Sequence, residues 1–215
     1  MSKAPRIGRL HVVTDVTVQK RFTHEQLAAL AAAGGADTIQ FRDKRMKLEG
    51  RFEVAARMKE LCERFKIPLI VNDSIDVSVR AGADGVHLGR EDISVAEARR
   101  VLGDDVVIGA TAGTLEQALE AQAADATYIG FGHIFKTTSK HKRTPPVGID
   151  KLREVCERIT IPVIAIGGID AHNAREVMEA GAYGIAVIGA VCGAGDPSSA
   201  ADQLRSAIGS PGPAR

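Results

Sequence analysis

Four stretches spaced along the chain repeat one pattern: "AGGADTIQF" from residue 33, "AGADGVHLG" from 81, "AADATYIGF" from 123 and "AGAYGIAVI" from 180. Each reads as the end of a helix, a tight Ala/Gly turn and an apolar strand entering a core. Repeats roughly 40 to 60 residues apart mark a unit used several times over. Between these stretches lie the remaining apolar runs "RLHVVTD", "PLIVND", "VVIGAT" and "PVIAIGG". Amphipathic segments such as "THEQLAALAAAG", "EVAARMKELCERF", "SVAEARRVLG", "TLEQALEAQAA", "IDKLREVCERI" and "AHNAREVMEAG" separate the runs, several opening on Thr or Ser and closing near Gly, as helix ends require. Continuous apolar strands alternating with helices imply a parallel sheet buried on both faces. Eight strands and about eight helices within 215 residues predict a single (β/α)8 TIM barrel, an α/β fold, over residues 9–208, with a frayed Gly/Pro-rich tail at 209–215. A doubly wound open sheet is the alternative, and it does not account for so even a fourfold rhythm.

The totals narrow the partners. Lys plus Arg number 28 against 27 Asp plus Glu, so neither nucleic acid nor an anionic membrane is expected as a partner. No apolar run approaches the roughly 20 residues that span a bilayer, and "MSKAPRIGRL" lacks the apolar core of a signal peptide. Cys62, Cys156 and Cys192 are odd in number and widely spaced; they read as buried fillers in a reducing, cytoplasmic setting rather than as a disulfide framework or zinc site. Pattern leaves assembly into a homo-oligomer open.

Chemistry in such barrels collects at the C-terminal ends of the strands. There the second run, "TIQFRDK", places Gln40, Arg42 and Lys44 at alternate positions, hence on one face of a strand. The third run ends in Asn72 and Asp73, the fourth leads to Asp92, and the fifth ends in Thr111. Strand-end Asp residues are more often helix caps or turn formers, but convergence on one mouth is not foreseen by capping. Asp73 and Asp92, from adjacent strands, fit a hard cation such as Mg²⁺, which takes one or two carboxylates together with phosphate oxygens and water. Arg42, Lys44 and Asn72 would hold an anion bridged to it, an arrangement suited to a diphosphate that departs. Gly167 and Gly168 after the seventh strand and Gly189 after the eighth either admit a phosphate to the backbone or serve close loop packing. After the sixth strand, "KTTSKHKRTPP" carries five basic residues; a solvated charge run is the ordinary explanation, and a lid over phosphates is the reading its position favours.

These segments together resemble the thiamine-phosphate synthase family. "QFRDK" resembles its Gln-x-Arg-x-Lys strand, "VND" and "GADGVHLGRED" its paired metal segments, "TTSKHKRTPPVGID" its flap, and "IPVIAIGGI" with "GIAVIGA" its phosphate end. The resemblance spans about Arg9 to Leu204. It implies a TIM-barrel transferase joining hydroxymethylpyrimidine diphosphate to hydroxyethylthiazole phosphate, with release of diphosphate, by a dissociative, Mg²⁺-dependent route without a protein nucleophile. Carried over by position, Gln40, Arg42, Lys44, Asn72 and Lys140 would contact the pyrimidine diphosphate, and Asp73 and Asp92 would hold Mg²⁺. Thr137 and Ser139, with the backbones of Gly168, Ile188 and Gly189, would hold the thiazole phosphate.

The chain departs from the family pattern at four places. Thr111 stands where Ser is usual, Gly113 where His often follows, Gly189 where Ser is common, and Gly132-His133 where Gly-Pro is general. His133 resembles the acid/base residue of the sister thiazole tautomerases, though an ordinary hydrogen-bonded loop His is equally in keeping. Retention of the diphosphate and metal residues favours the synthase over a tautomerase, and over a barrel that binds a thiamine precursor without turnover.

Overall fold

The computed structural model describes residues 7–137 and 144–209. Eight parallel strands close into a barrel in chain order: β1 (Leu10–Thr14), β2 (Thr38–Phe41), β3 (Leu69–Asn72), β4 (Gly85–Leu88), β5 (Val107–Ala112), β6 (Tyr128–Gly132), β7 (Val163–Ile166) and β8 (Gly184–Val187). β8 pairs with β1 through Leu10–Ile185, His11–Ala186 and Val12–Val187, so the sheet has no edge. The expected (β/α)8 barrel is the observed one, and the open-sheet alternative is excluded.

Alternation divides each strand between two cores. Ile39, Phe41, Leu69, Val71, Val86, Leu88, Ile108, Ile129 and Phe131 face outward and pack under the helices. Val13, Ile70, Val107, Tyr128, Ile164 and Ala186 point inward and fill the lumen. The outer shell includes α1 (His24–Ala33), α2 (Leu48–Phe65), α4 (Val95–Leu102), α5 (Leu115–Ala123), α6 (Gly148–Arg158) and α7 (Ala174–Glu179). Thr23, Ser94 and Thr114 cap α1, α4 and α5 with side-chain oxygens, the first two in full capping boxes. Three further helices were not among the quoted helical stretches. α3 (Ile75–Arg80) is short and rich in β-branched residues, so its period is faint. α8 (Gly189–Cys192) is a single turn, and α9 (Pro197–Ile208) starts from an Asp196 cap with Pro at its first position.

Two strands end earlier than expected. β2 stops at Phe41, so Arg42 and Lys44 project from the loop beyond it. β6 stops at Gly132, where φ reaches +157° ahead of a cis bond to His133. Past that point Ile134 and Phe135 still donate their N–H groups to Ile166 and Gly167 of the neighbouring segment. The tail expected to fray lies outside the described residues from residue 210 onward.

The fourfold repeat has a hydrogen-bond basis at the N-terminal rim. The N–H groups of Asp37, Asp84, Thr127 and Tyr183, each just ahead of an even strand, donate to the carbonyls of Leu10, Leu69, Ile108 and Val163 at or near the starts of the odd ones. In three quarters the bond is reciprocated. Leu10 N–H donates to Asp37 Oδ1 at 2.7 Å, Leu69 N–H to Asp84 Oδ2 at 2.8 Å, and Ile108 N–H to Thr127 Oγ1 at 3.0 Å. A base braces each clamp: Arg205 on Asp37, Lys59 on Asp84 and Arg99 on Thr127. The opposite rim is left to the loops that carry the chemistry.

Candidate active site

The C-terminal rim opens into a cavity of about 660 Å³. Gln40, Arg42, Lys44, Asn72, Asp73, Asp92, Thr111, His133, Thr137, Gly167, Gly168, Ile188 and Gly189, drawn from seven strand ends, all line it. Ser139 and Lys140 lie outside the described residues, as does most of the expected lid.

On one wall two carboxylates face each other. Lys44 Nζ sits 3.1 Å from Asp73 Oδ2. Gly89 N–H donates to Asp92 Oδ2 at 2.6 Å. A methyl group placed on Gly89 would stand 3.0 Å from Asp92 Oδ2 and 3.8 Å from Asp73 Oδ1, so both carboxylates border the same small space. Burial, with the charge of Asp73 added to it, pushes the Asp92 carboxyl above the usual range, against the pull of the Gly89 N–H and Lys44. Two like charges held together in this way fit a divalent cation. Among the described residues no third His, Cys, Asp or Glu completes a protein-only metal cage. Asp73 reaches the space because its backbone turns left-handed, at φ 66°, immediately after β3; Asp tolerates that conformation better than most residues.

The β2 loop is secured from behind. Arg42 pairs through Nη1 with Asp15 Oδ2, the two side chains being 13% and 3% exposed. Next to it, His24 Nε2 lies 3.1 Å from Asp43 Oδ2 while its Nδ1 shares a hydrogen bond with Thr14 Oγ1. Asp43 Oδ1 accepts the N–H groups of Arg45 and Met46 at 2.8 Å each. Burial alone would raise the Asp43 carboxyl, but these donors hold it below its ordinary value.

The cavity floor carries residues that the reading of the sequence did not single out: His11, His87 and Tyr128. His87 joins the Tyr128 hydroxyl through Nδ1 and Thr111 Oγ1 through Nε2, both at 2.9 Å. Burial raises the Tyr128 phenol, outweighing a hydrogen bond with Gln40 that acts the other way, so the hydroxyl stays protonated. The signal was present in parity: His87 and Tyr128 occupy inward positions of β4 and β6, His87 in register with Asn72 of β3 and both in register with Gly109 of β5.

At the far wall, side chains on Gly167 and Gly168 would collide with the β6 loop. A Cβ on Gly167 would come within 2.3 Å of His133 Cβ, and one on Gly168 within 2.5 Å of the Lys136 carbonyl. Both have positive φ, at 104° and 69°. Both positions therefore require glycine for close loop packing, and both border the cavity. Ile188, Gly189 and Ala190, at the start of α8, line the same wall. His133 is 6% exposed and accepts the N–H of Val147 on its carbonyl.

A closed parallel barrel with two facing carboxylates, two basic side chains and a glycine-lined wall around a cavity at its C-terminal rim has the form of a TIM-barrel enzyme. Comparison with known proteins narrows the class. Residues 10–191 match the family profile described as thiamine monophosphate synthase. The thiamine-phosphate synthase of Salinibacter ruber is 46% identical over 94% of this chain and 89% of its own, and that of Methanocella arvoryzae is 47% identical over 93% and 94%. A thiamine phosphate pyrophosphorylase from Pyrococcus furiosus superposes with a TM-score of 0.86 at 36% identity, covering 93% of this chain and 95% of that one. A 3-hexulose-6-phosphate synthase, at 21% identity and a TM-score of 0.72, shares the fold. The chain belongs to the thiamine monophosphate synthase family.

Proposed function

We propose that the chain is a thiamine-phosphate synthase, an enzyme joining hydroxymethylpyrimidine diphosphate to hydroxyethylthiazole phosphate, or its carboxylate, and releasing diphosphate. The convergence of Arg42, Lys44, Asn72, Asp73 and Asp92 on one cavity rim carries this reading, together with family membership. The buried floor of Gln40, His87 and Tyr128 offers amide, imidazole and phenol groups to a flat, nitrogen-rich ring. Arg42, Lys44 and Asn72 grip the diphosphate and turn its bridging oxygen toward departure. Asp73 and Asp92 would hold Mg²⁺, which would supply charge neutralisation for the departing diphosphate. Thr111 and the α8 wall hold the thiazole phosphate side close to the methylene carbon, so that the thiazole nitrogen captures the pyrimidinylmethyl cation as the C–O bond opens. Thr137, Ser139 and Lys140 would complete the flap that keeps water from that cation.

Incubating both substrates with the protein, with and without EDTA, and weighing the products tests this. Thiamine phosphate should form only with the metal present. Asp92→Ala should reduce turnover by at least about 100-fold without unfolding the barrel. Isomerisation of a non-aromatic thiazole carboxylate, lost in His133→Ala and unaccompanied by thiamine phosphate, would instead establish a tautomerase. Ligand-induced stabilisation with neither product would mark a binding protein.

A further inference from the structure

We infer that Asp15, which does not line the cavity, is a positioning residue that fixes the working orientation of Arg42. The inference rests on the diphosphate-binding role proposed above. Asp15 follows β1 directly and is 2% exposed. Its Oδ1 is occupied by Thr17, which donates both its N–H, at 2.9 Å, and its hydroxyl, at 2.5 Å. The carboxylate is thus locked by its own turn before it meets Arg42. Oδ2 then takes Arg42 Nη1. Because a guanidinium is planar, fixing one nitrogen sets the plane of the others. Arg42 Nε is buried and has no hydrogen-bond partner among the described residues. A buried donor left open in this way is costly, so the pose depends on the Asp15 pairing, and in that pose the Arg42 side chain borders the cavity.

The contrast with Lys44 supports the assignment. Lys44, 62% exposed at its side chain, is a point charge whose recorded partner is Asp73, across a solvent-facing ion pair. Arg42 is held from behind, and the pairing also offsets the cost of its burial. Asp15 further lies beside Cys192 of α8: burial raises that thiol, while a hydrogen bond with the Asp15 backbone lowers it and the Asp15 charge raises it. It therefore stands where β1, the β2 loop and the α8 wall meet.

The experiment is a double-mutant cycle on the full chain with Asp15→Asn, Arg42→Ala and the pair. Turnover of the pyrimidine diphosphate and calorimetric binding of Mg²⁺ with inorganic diphosphate are both read. Asp15→Asn should lower kcat about 10- to 100-fold, as loss of orientation does, while KM for the diphosphate substrate moves less than about threefold. In the Arg42→Ala background the same substitution should change kcat by less than about twofold. Equal factors in both backgrounds would overturn the inference and leave Asp15 a role in folding alone. Should Asp15→Asn fail to fold, Asp15→Glu keeps the charge and displaces the guanidinium; unchanged kcat in that variant would equally overturn it. A wild-type protein that binds Mg²⁺-diphosphate but makes no product sinks the synthase reading only, and the cycle on binding then decides the role of Asp15.

Discussion

Burial of His11 inside the barrel sets a pH dependence that one side chain controls. The ring is 1% exposed, and its pKa falls to about 4, chiefly from burial and despite the hydrogen bond to the Gly8 carbonyl and the field of Asp37. The folded value lies below the ordinary 6.5, so between those two values the unfolded chain binds a proton that the folded chain refuses. Stability is full above about pH 6.5 and declines toward pH 4, by on the order of 3 kcal/mol from this group. Urea unfolding between pH 7.5 and 4.5 should show this decline in the wild type and lose it in His11→Gln; parallel curves for the two proteins would refute the assignment. At this scale the sequence was legible where residues sit at strand ends. Gln40, Asn72, Asp73 and Asp92 could be placed at one mouth because strand direction and alternation decide it. His11, His87 and Tyr128 were harder to single out, since a polar residue inside an apolar run looks like packing until the parity of adjacent strands is known. The Asp15–Arg42 pair joins residues 27 apart, and no local pattern announces it.

Among the elements, the three reciprocal clamps of the N-terminal rim divide stability from catalysis. Asp84→Ala removes the acceptor for Leu69 N–H and the partner of Lys59. Loss of a hydrogen bond to a backbone group at the foot of a fully buried strand residue costs about 2 kcal/mol; the ion pair adds little, because the Asp84 side chain is 36% exposed. Chemical denaturation should reveal that loss, while kcat of the folded fraction stays within about twofold of the wild type, the clamp lying at the opposite rim. A parallel collapse of kcat at unchanged stability would contradict this division. The repeat was readable as helix end, turn and strand because Ala/Gly turns have a strong compositional signature. The role of its Asp and Thr was not, since the same residues serve equally as caps or turn formers. The fourth quarter substitutes Tyr183, whose hydroxyl instead reaches the Ile7 carbonyl at 3.4 Å. Strand ends were misplaced at β2 and β6 for a related reason: apolar and polar alternation continues past the last ladder bond, and only the path of the backbone says where pairing stops.

Across the whole molecule, the alternation of buried strands with helices pointed to a parallel sheet, and the even fourfold rhythm to its closure as a barrel, since an open doubly wound sheet buries both faces too but calls for no such rhythm. The thiols were likewise placed by their spacing: Cys62 and Cys192 are buried and Cys156 half-buried, and burial raises them to about 12, 11 and 11 respectively. Among the described residues no helix is long and apolar enough to cross a membrane. At the seam between β8 and β1, Arg9 spans the join: its guanidinium donates to the carbonyls of Gly209 and Ile208 at 2.9 and 3.2 Å and to that of Tyr183 at 3.0 Å. The start of the first strand and the end of the last helix therefore lie one side chain apart, and the ring has no natural point of departure. A gene rearranged to begin at the exposed turn of Gly82, with the old ends bridged by a short Gly/Ser tether, should yield the same circular dichroism spectrum and turnover within about threefold of the parent. An aggregated or inactive product would mean that the order in which the quarters leave the ribosome, rather than the finished circle they form, governs assembly.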